Sequence, residues 1–213
     1  MSPIYSIIFI VLGWLLGLLS PHLIELIQKP YRRVQLRRSL FIEVTELQYR
    51  FATLCWMLRQ ARGEVNKSFL EWYKLAIRGY KSRYAPLSVE QGVVALLELN
   101  DDQLRAMFPS KADTFDYPVL KKYTLPFLAS QVTSLSIFSP EFQRLALEIN
   151  AKLALVNAEI DTMWFFYTKT FDSSLSNINR EAIYQNMRNS RKNIINISQE
   201  ICDDIAALVA RRK

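Results

Sequence analysis

Six carboxylates fall on two stretches of helical periodicity. Glu148, Glu159 and Asp161 lie on one, and Glu200, Asp203 and Asp204 on the other. Carboxylates brought together from facing helices can hold a hard cation or divide into general acid and base. Their spacing matches no metal-ligand pattern. On the surface of a helical bundle, Asp and Glu are ordinarily solvated or paired with Lys and Arg.

The other chemical motifs are missing from the chain. There is no G-x-x-x-x-G-K-[ST] and no G-x-G-x-x-G, hence no phosphate cradle of the usual kinds. The single histidine, His22, rules out H-E-x-x-H, a Glu-x-x-His pair for a di-iron bundle and a His-based triad. No C-x-x-C and no S-x-x-K occur. No catalytic, cofactor-binding or metal-ligating residue is assigned, and no cofactor is expected.

Lys74, Arg78 and Lys81 form a basic row at i, i+4 and i+7, interleaved with Trp72, Tyr73 and Tyr80. Basic rows with aromatics can bind nucleic acid or an anionic surface, but three charges make a small footprint. The row reads better as a solvated face, and nucleic acid is not an expected partner. Cys55 and Cys202 each sit in or beside an apolar helical row and read as small buried hydrophobes without a disulfide.

The element that must position all of this is the N-terminus. Ile4 to Ile24 carries no charged side chain, and about 20 apolar residues suffice for a helix to cross a bilayer core of about 30 Å. Lys29, Arg32, Arg33, Arg37 and Arg38 follow as a basic collar. Residues 25–38 hold five basic residues and one acid, a net +4 out of the total of +7, so the remaining domain is only mildly basic. The expected arrangement is one transmembrane helix in the plasma (inner) membrane, N-terminus outside and C-terminal domain cytoplasmic, because basic flanks stay on the cytoplasmic side. A collar there is also drawn to anionic lipid. A cleaved signal peptide fits poorly: the n-region has no Lys or Arg, and the exit reads LLSPHLIEL. In that topology the sequons at Asn66 and Asn196 stay unglycosylated.

Within the anchor, Gly13 and Gly17 form a GxxxG pair, with Ser20 and Ser6 extending the small-residue row; such rows let membrane helices approach closely. Pro21 predicts a kink, and Pro30 a second break or the start of the next helix. His22 reads as a polar interface residue.

The periodicity predicts an amphipathic helix from Tyr31 to about Ala61, with Leu36, Leu40, Val44, Leu47, Phe51, Leu54 and Leu58 on its seam. It predicts a shorter helix over Asn66–Lys81 and another over Val89–Leu99, where Ser88 and Gln91 resemble a capping box. Asn100 recaps a short helix to Met107. Glu90, Glu98, Asp101 and Asp102 are expected to complement the basic row. Asp116 and Pro118 open a helix that runs to about Leu135 with a kink at Pro126. Ser139-Pro140-Glu141 starts a long helix to about Thr170, and a last one covers Ile178–Arg211. Five glycines and long gaps between turn signals argue for long helices.

The fold class is therefore all-α: a single N-terminal transmembrane helix followed by an elongated antiparallel helical bundle. Residues 1–30 are the anchor and the start of the collar; residues 31–213 are the cytoplasmic bundle domain. The expected partners are the lipid bilayer and a protein partner or a second copy of the chain. The expected function is that of a scaffold, adaptor or sensor subunit on the cytoplasmic face. The alternative is a self-assembling membrane effector whose bundle controls clustering of the anchors. An enzyme acting through carboxylates or a nucleic-acid binder stand behind these.

Overall fold

The computed structural model describes residues 3–78, 80, 87–110 and 120–211, without the side chains of 3–10, 21–27 and 87–88. Seven α-helices occupy the described residues: α1 (Pro3–Arg62), α2 (Lys67–Ile77), α3 (Leu87–Leu97), α4 (Asp101–Met107), α5 (Pro126–Ser130), α6 (Pro140–Lys169) and α7 (Asn177–Ala210), with a 3-10 helix at Val132–Ile137. No strand occurs among them. The chain divides into two compact units, Met1–Phe41 and Ile42–Lys213. Within the described residues no helix holds an apolar stretch long enough to cross a membrane. The Ile4–Ile24 run overlaps two segments whose side chains lie outside the description, among them Ser6, Pro21 and His22.

The second unit is built on three long rods: the Ile42–Arg62 part of α1, α6 and α7. Their apolar residues recur every three or four positions, so each has one face to bury. From α1 come Val44, Leu47, Phe51, Leu54, Cys55 and Leu58. From α6 come Leu145, Ile149, Leu153, Val156 and Ile160, and from α7 Met187, Ile194, Ile201, Ile205 and Leu208. Helix α7 runs antiparallel to both other rods in a fixed register. Between α6 and α7, Glu141 pairs with Arg211, Lys152 with Glu200, and Glu159 with Asn193. Each step of eleven or seven positions along α6 is thus matched by an equal step back along α7. Between α1 and α7, Gln48 meets Cys202 and Cys55 meets Ile195, seven positions on and seven back. Steps of seven or eleven return a helix to nearly the same face, so the apolar seams stay aligned.

The helix starts follow local chemistry. Ser139 and Ser176 cap α6 and α7 by accepting the N–H groups of Phe142 and Asn179, and Pro140 occupies the first turn of α6. Asn66 caps α2 through Phe69 N–H, and Asn100 with Gln103 forms a complete capping box on α4. Ser88 lies inside α3, not ahead of it. Helix α1 ends at Gly63, whose φ of 67° lets Glu64 N–H return to the Arg59 carbonyl at 2.9 Å.

Two expectations need correction. Pro30 neither ends nor restarts a helix; α1 is helical from Pro3 to Arg62. A proline inside a helix loses one hydrogen bond, and the flanking turns tolerate that loss here. Over its described residues, from Leu120 on, the continuous helix expected from Pro118 to Leu135 is not formed either. Residues 120–125 are non-helical, Pro126 opens the short helix α5, and a 3-10 helix follows. A residue before proline is pushed out of the α region, and Leu125 sits at φ −120°, ψ 74°. Pro126 therefore acts as a first-turn proline, not as a kink. Asp116, Pro118, Val119 and the Tyr84-Ala85-Pro86 linker lie outside the described residues.

Candidate functional site

Within the Ile4–Ile24 run, Val11–Ser20 is helical and exposed at every position. Trp14 is 67% exposed and Leu16 59%. No charge interrupts it, and it has no polar face. A Cβ added at Gly13 or Gly17 would meet nothing within 4 Å. Packing within the chain therefore places no demand for glycine there. Ser20 is exposed beside them.

The collar residues are not alike. Lys29, Arg32, Arg33 and Arg38 are exposed, whereas Arg37 is half-buried with its guanidinium 5.4 Å from the Phe41 ring centre. Of the second basic group, Lys74 lies in the last turn of α2. Arg78 is the extended C-cap of that helix, and Lys81 lies outside the described residues. The acidic stretch around Asn100 engages other groups: Asp101 accepts Lys67 N–H at 3.3 Å, and Asp102 lies 3.5 Å from Arg105.

Of the six carboxylates of α6 and α7, Glu148, Glu200 and Asp204 come together around Lys152, while Glu159, Asp161 and Asp203 each engage a separate donor. Lys152 Nζ lies 2.7 Å from Asp204, 3.2 Å from Glu200 and 3.6 Å from Glu148. Burial lowers the affinity of Lys152 for its proton. Hydrogen bonds and charge from Asp204 and Glu200 outweigh that, so the ammonium titrates above the ordinary lysine range. Glu159 accepts Asn193 at 2.9 Å, Asp161 lies 2.7 Å from Lys122, and Asp203 accepts the Trp72 indole N–H at 3.0 Å. The group fastens α6, α7, α2 and the Leu120–Leu125 segment together. Among the described residues no cluster of His, Cys, Asp and Glu has the makings of a metal site.

The two thiols are built into the α1–α7 seam. Cys55 Sγ lies 3.6 Å from the Ile195 carbonyl, and Cys202 Sγ 3.5 Å from that of Gln48. Both are free. Burial, aided by the Asp203 charge, pushes Cys55 up to about 12 despite Arg59, and burial raises Cys202 as well. They are protonated at neutral pH, and a thiol must ionise to act as a nucleophile.

Sequence reasoning missed the residues that hold the Leu120–Leu128 segment. Asn157 clasps Tyr123 on both sides, accepting its N–H at 3.0 Å and donating to its carbonyl at 2.8 Å. The Trp164 indole donates to the Leu120 carbonyl at 3.1 Å, and Glu43 accepts two N–H groups of α5. The signal was there: a polar Asn157 and Glu43 on otherwise apolar seams. An open groove of about 250 Å³ lies along this segment, floored by Leu125, Leu153 and Ala154 and edged by Asn150 and Asn157.

The outward side of α6 is also unusual. Leu147, Leu155 and Phe165 are 46, 56 and 57% exposed, with Ala151, Ala154 and Ala158 exposed between them. A solvent-facing helix surface is ordinarily charged. Comparison with family models, with curated proteins and with solved structures yields no match.

Proposed function

We propose that this chain is a single-pass, membrane-anchored helical interaction protein, a scaffold, adaptor or sensor subunit whose bundle lies on the cytoplasmic face. The observation that carries the reading is Val11–Ser20: ten consecutive uncharged residues, exposed on every side of a helix. A helix without a polar face leaves water by entering lipid or another protein. It does not suit an in-plane amphipathic anchor, which needs a charged face. The collar that follows supports an N-terminus-out orientation. The exposed apolar patch of Leu147, Ala151, Ala154, Leu155 and Ala158 on α6, bounded by the charged Arg144 and Asp161, supports a protein partner for the bundle.

Membrane fractions washed in alkaline carbonate test the anchor, and the native mass and composition of the full chain in mild detergent test the partner. Retention in the membrane together with a stoichiometric second polypeptide is the expected result. Release by carbonate overturns the anchor. A strictly monomeric chain overturns the adaptor reading.

The open space around Gly13 and Gly17 favours one second reading, a self-assembling effector whose anchors pair through these glycines. A homo-oligomer without another polypeptide, lost on Gly17→Ile, distinguishes it.

A further inference from the structure

The five collar residues act differently once they are set on a helix that is unbroken from Pro3 to Arg62. An α-helix turns about 100° per residue, so Lys29, Arg32, Arg33 and Arg37 share one arc of about 140°. Between Lys29 and Arg37 one apolar residue, Leu36, falls inside the same arc; it is half-buried, as is Arg37. Arg38 lies diametrically opposite Lys29, in company with Tyr31 and Val34, which are 69 and 65% exposed. The basic segment is therefore two-faced: a cationic stripe on one side and an exposed aromatic-aliphatic side on the other.

We infer that Lys29, Arg32 and Arg33 form a one-sided stripe that gathers anionic phospholipid headgroups, while Arg38 takes no part in that selection. The proposal rests on the anchor reading above. The occupant follows from charge and position. Three exposed cations stand within five residues, after a gap of eight residues from the exposed apolar stretch that ends at Ser20. Guanidinium groups match phosphate oxygens in a two-pronged geometry, and a basic residue near an anionic membrane surface contributes about 1 kcal/mol. Tyr31 and Val34, on the reverse, suit the boundary between headgroups and acyl chains, where aromatic rings collect. Leu36 and Arg37 close the stripe at its Phe41 end, where the Arg37 guanidinium lies over the Phe41 ring.

Trp14 supplies the probe. The full-length protein is reconstituted into mixed vesicles of phosphatidylcholine and phosphatidylglycerol, one species brominated at a time. The difference in fluorescence between wild type and Trp14→Phe isolates the Trp14 signal from the other tryptophans. The expected result is quenching by both species, with phosphatidylglycerol favoured by about threefold or more and the preference erased in high salt. Arg32→Gln lowers the preference, and the triple change Lys29→Gln, Arg32→Gln, Arg33→Gln abolishes it while quenching by brominated phosphatidylcholine persists. Arg38→Gln leaves it intact. Equal quenching by the two lipids in wild type overturns the stripe, as does an Arg38→Gln effect as large as that of Arg32→Gln. Absence of Trp14 quenching by either lipid overturns the anchor reading, and the stripe with it.

Discussion

The carboxylate of Glu43 accepts the backbone N–H of Leu128 at 2.9 Å, and its other oxygen takes Phe127 N–H at 2.7 Å. Glu43 thereby caps a helix from 84 residues away, because Leu125 at the N-cap of α5 has no side chain able to do so. A charged acceptor on two N–H groups at a helix start joins the capping effect to the helix dipole. Glu43→Ala should therefore cost about 0.5–2 kcal/mol, the range for losing a cap. Glu43→Gln should cost less, since its amide oxygen still accepts one bond. Denaturant titration of the three proteins checks the order. An Ala variant as stable as wild type would refute the cap.

Lys152 supports a prediction with a pH signature. Its side chain is 19% exposed, as is that of Asp204. Lys152→Met leaves Asp204 without its cation, and truncating one partner of a largely buried pair costs up to about 3–5 kcal/mol; partial exposure brings the expected loss to about 1–3 kcal/mol. The folded-state value is raised above 10.5. A raised lysine contributes stability that is fully present below the unfolded value and is lost as pH rises through the folded one. The difference between wild type and Lys152→Met should thus hold steady around neutrality and shrink above about pH 10.5. A difference that is flat through strongly alkaline pH would place the stabilisation in packing of the lysine stem instead.

How much of this was legible from residues alone differs by element. Helices α6 and α7 were readable to within a residue or two at each end, because their caps and their three-four apolar steps are local signals. The Leu120–Ile137 region was not. Leu120, Tyr123, Phe127 and Leu128 step like a helix, yet the groups that decide their conformation are distant. Asn157 binds Tyr123 from 34 positions away, and Trp164 binds Leu120 from 44. Tertiary hydrogen bonds satisfy the backbone there, and so the helix has no advantage. The carboxylates were likewise visible in the sequence, but Lys152, which gathers Glu148, Glu200 and Asp204, was not. Its role depends on the α6–α7 register, which no single stretch encodes.

The two thiols should be chemically silent. Cys55 is 0% and Cys202 1% exposed, and burial holds both protonated. Alkylation then waits for the α1–α7 seam to open, so its rate reports unfolding rather than thiol chemistry. A maleimide at neutral pH should leave the native chain unmodified over a time in which the denatured chain takes up label at both cysteines. Rapid labelling of the native protein at either site would mean that the seam opens readily or that the thiolate is present.

Gly63 and Gly92 should respond to alanine with opposite sign. Gly63 stands at φ 67° just after α1, and a Cβ there would lie 2.8 Å from the Ser110 nitrogen and 3.2 Å from the Phe108 carbonyl oxygen. The left-handed conformation alone costs a non-glycine residue about 1–2 kcal/mol. The contact adds to this, because both atoms are backbone and cannot rotate aside. Moving residues 108–110 also disturbs the Phe108 ring, which meets Trp56 edge-on at 5.7 Å within the cluster of Phe69 and Tyr73. Gly63→Ala should therefore lose about 2 kcal/mol or more, a scale set by the left-handed cost. Gly92 is exposed inside α3, and a Cβ there meets nothing within 4 Å. Gly92→Ala removes backbone freedom from the unfolded chain and should gain about 0.5–1 kcal/mol. Thermal unfolding of the pair, in the same detergent, reads both shifts at once. A neutral Gly63→Ala would mean that residues 108–110 yield at no cost, and the close approach of that loop to the end of α1 would then carry no constraint.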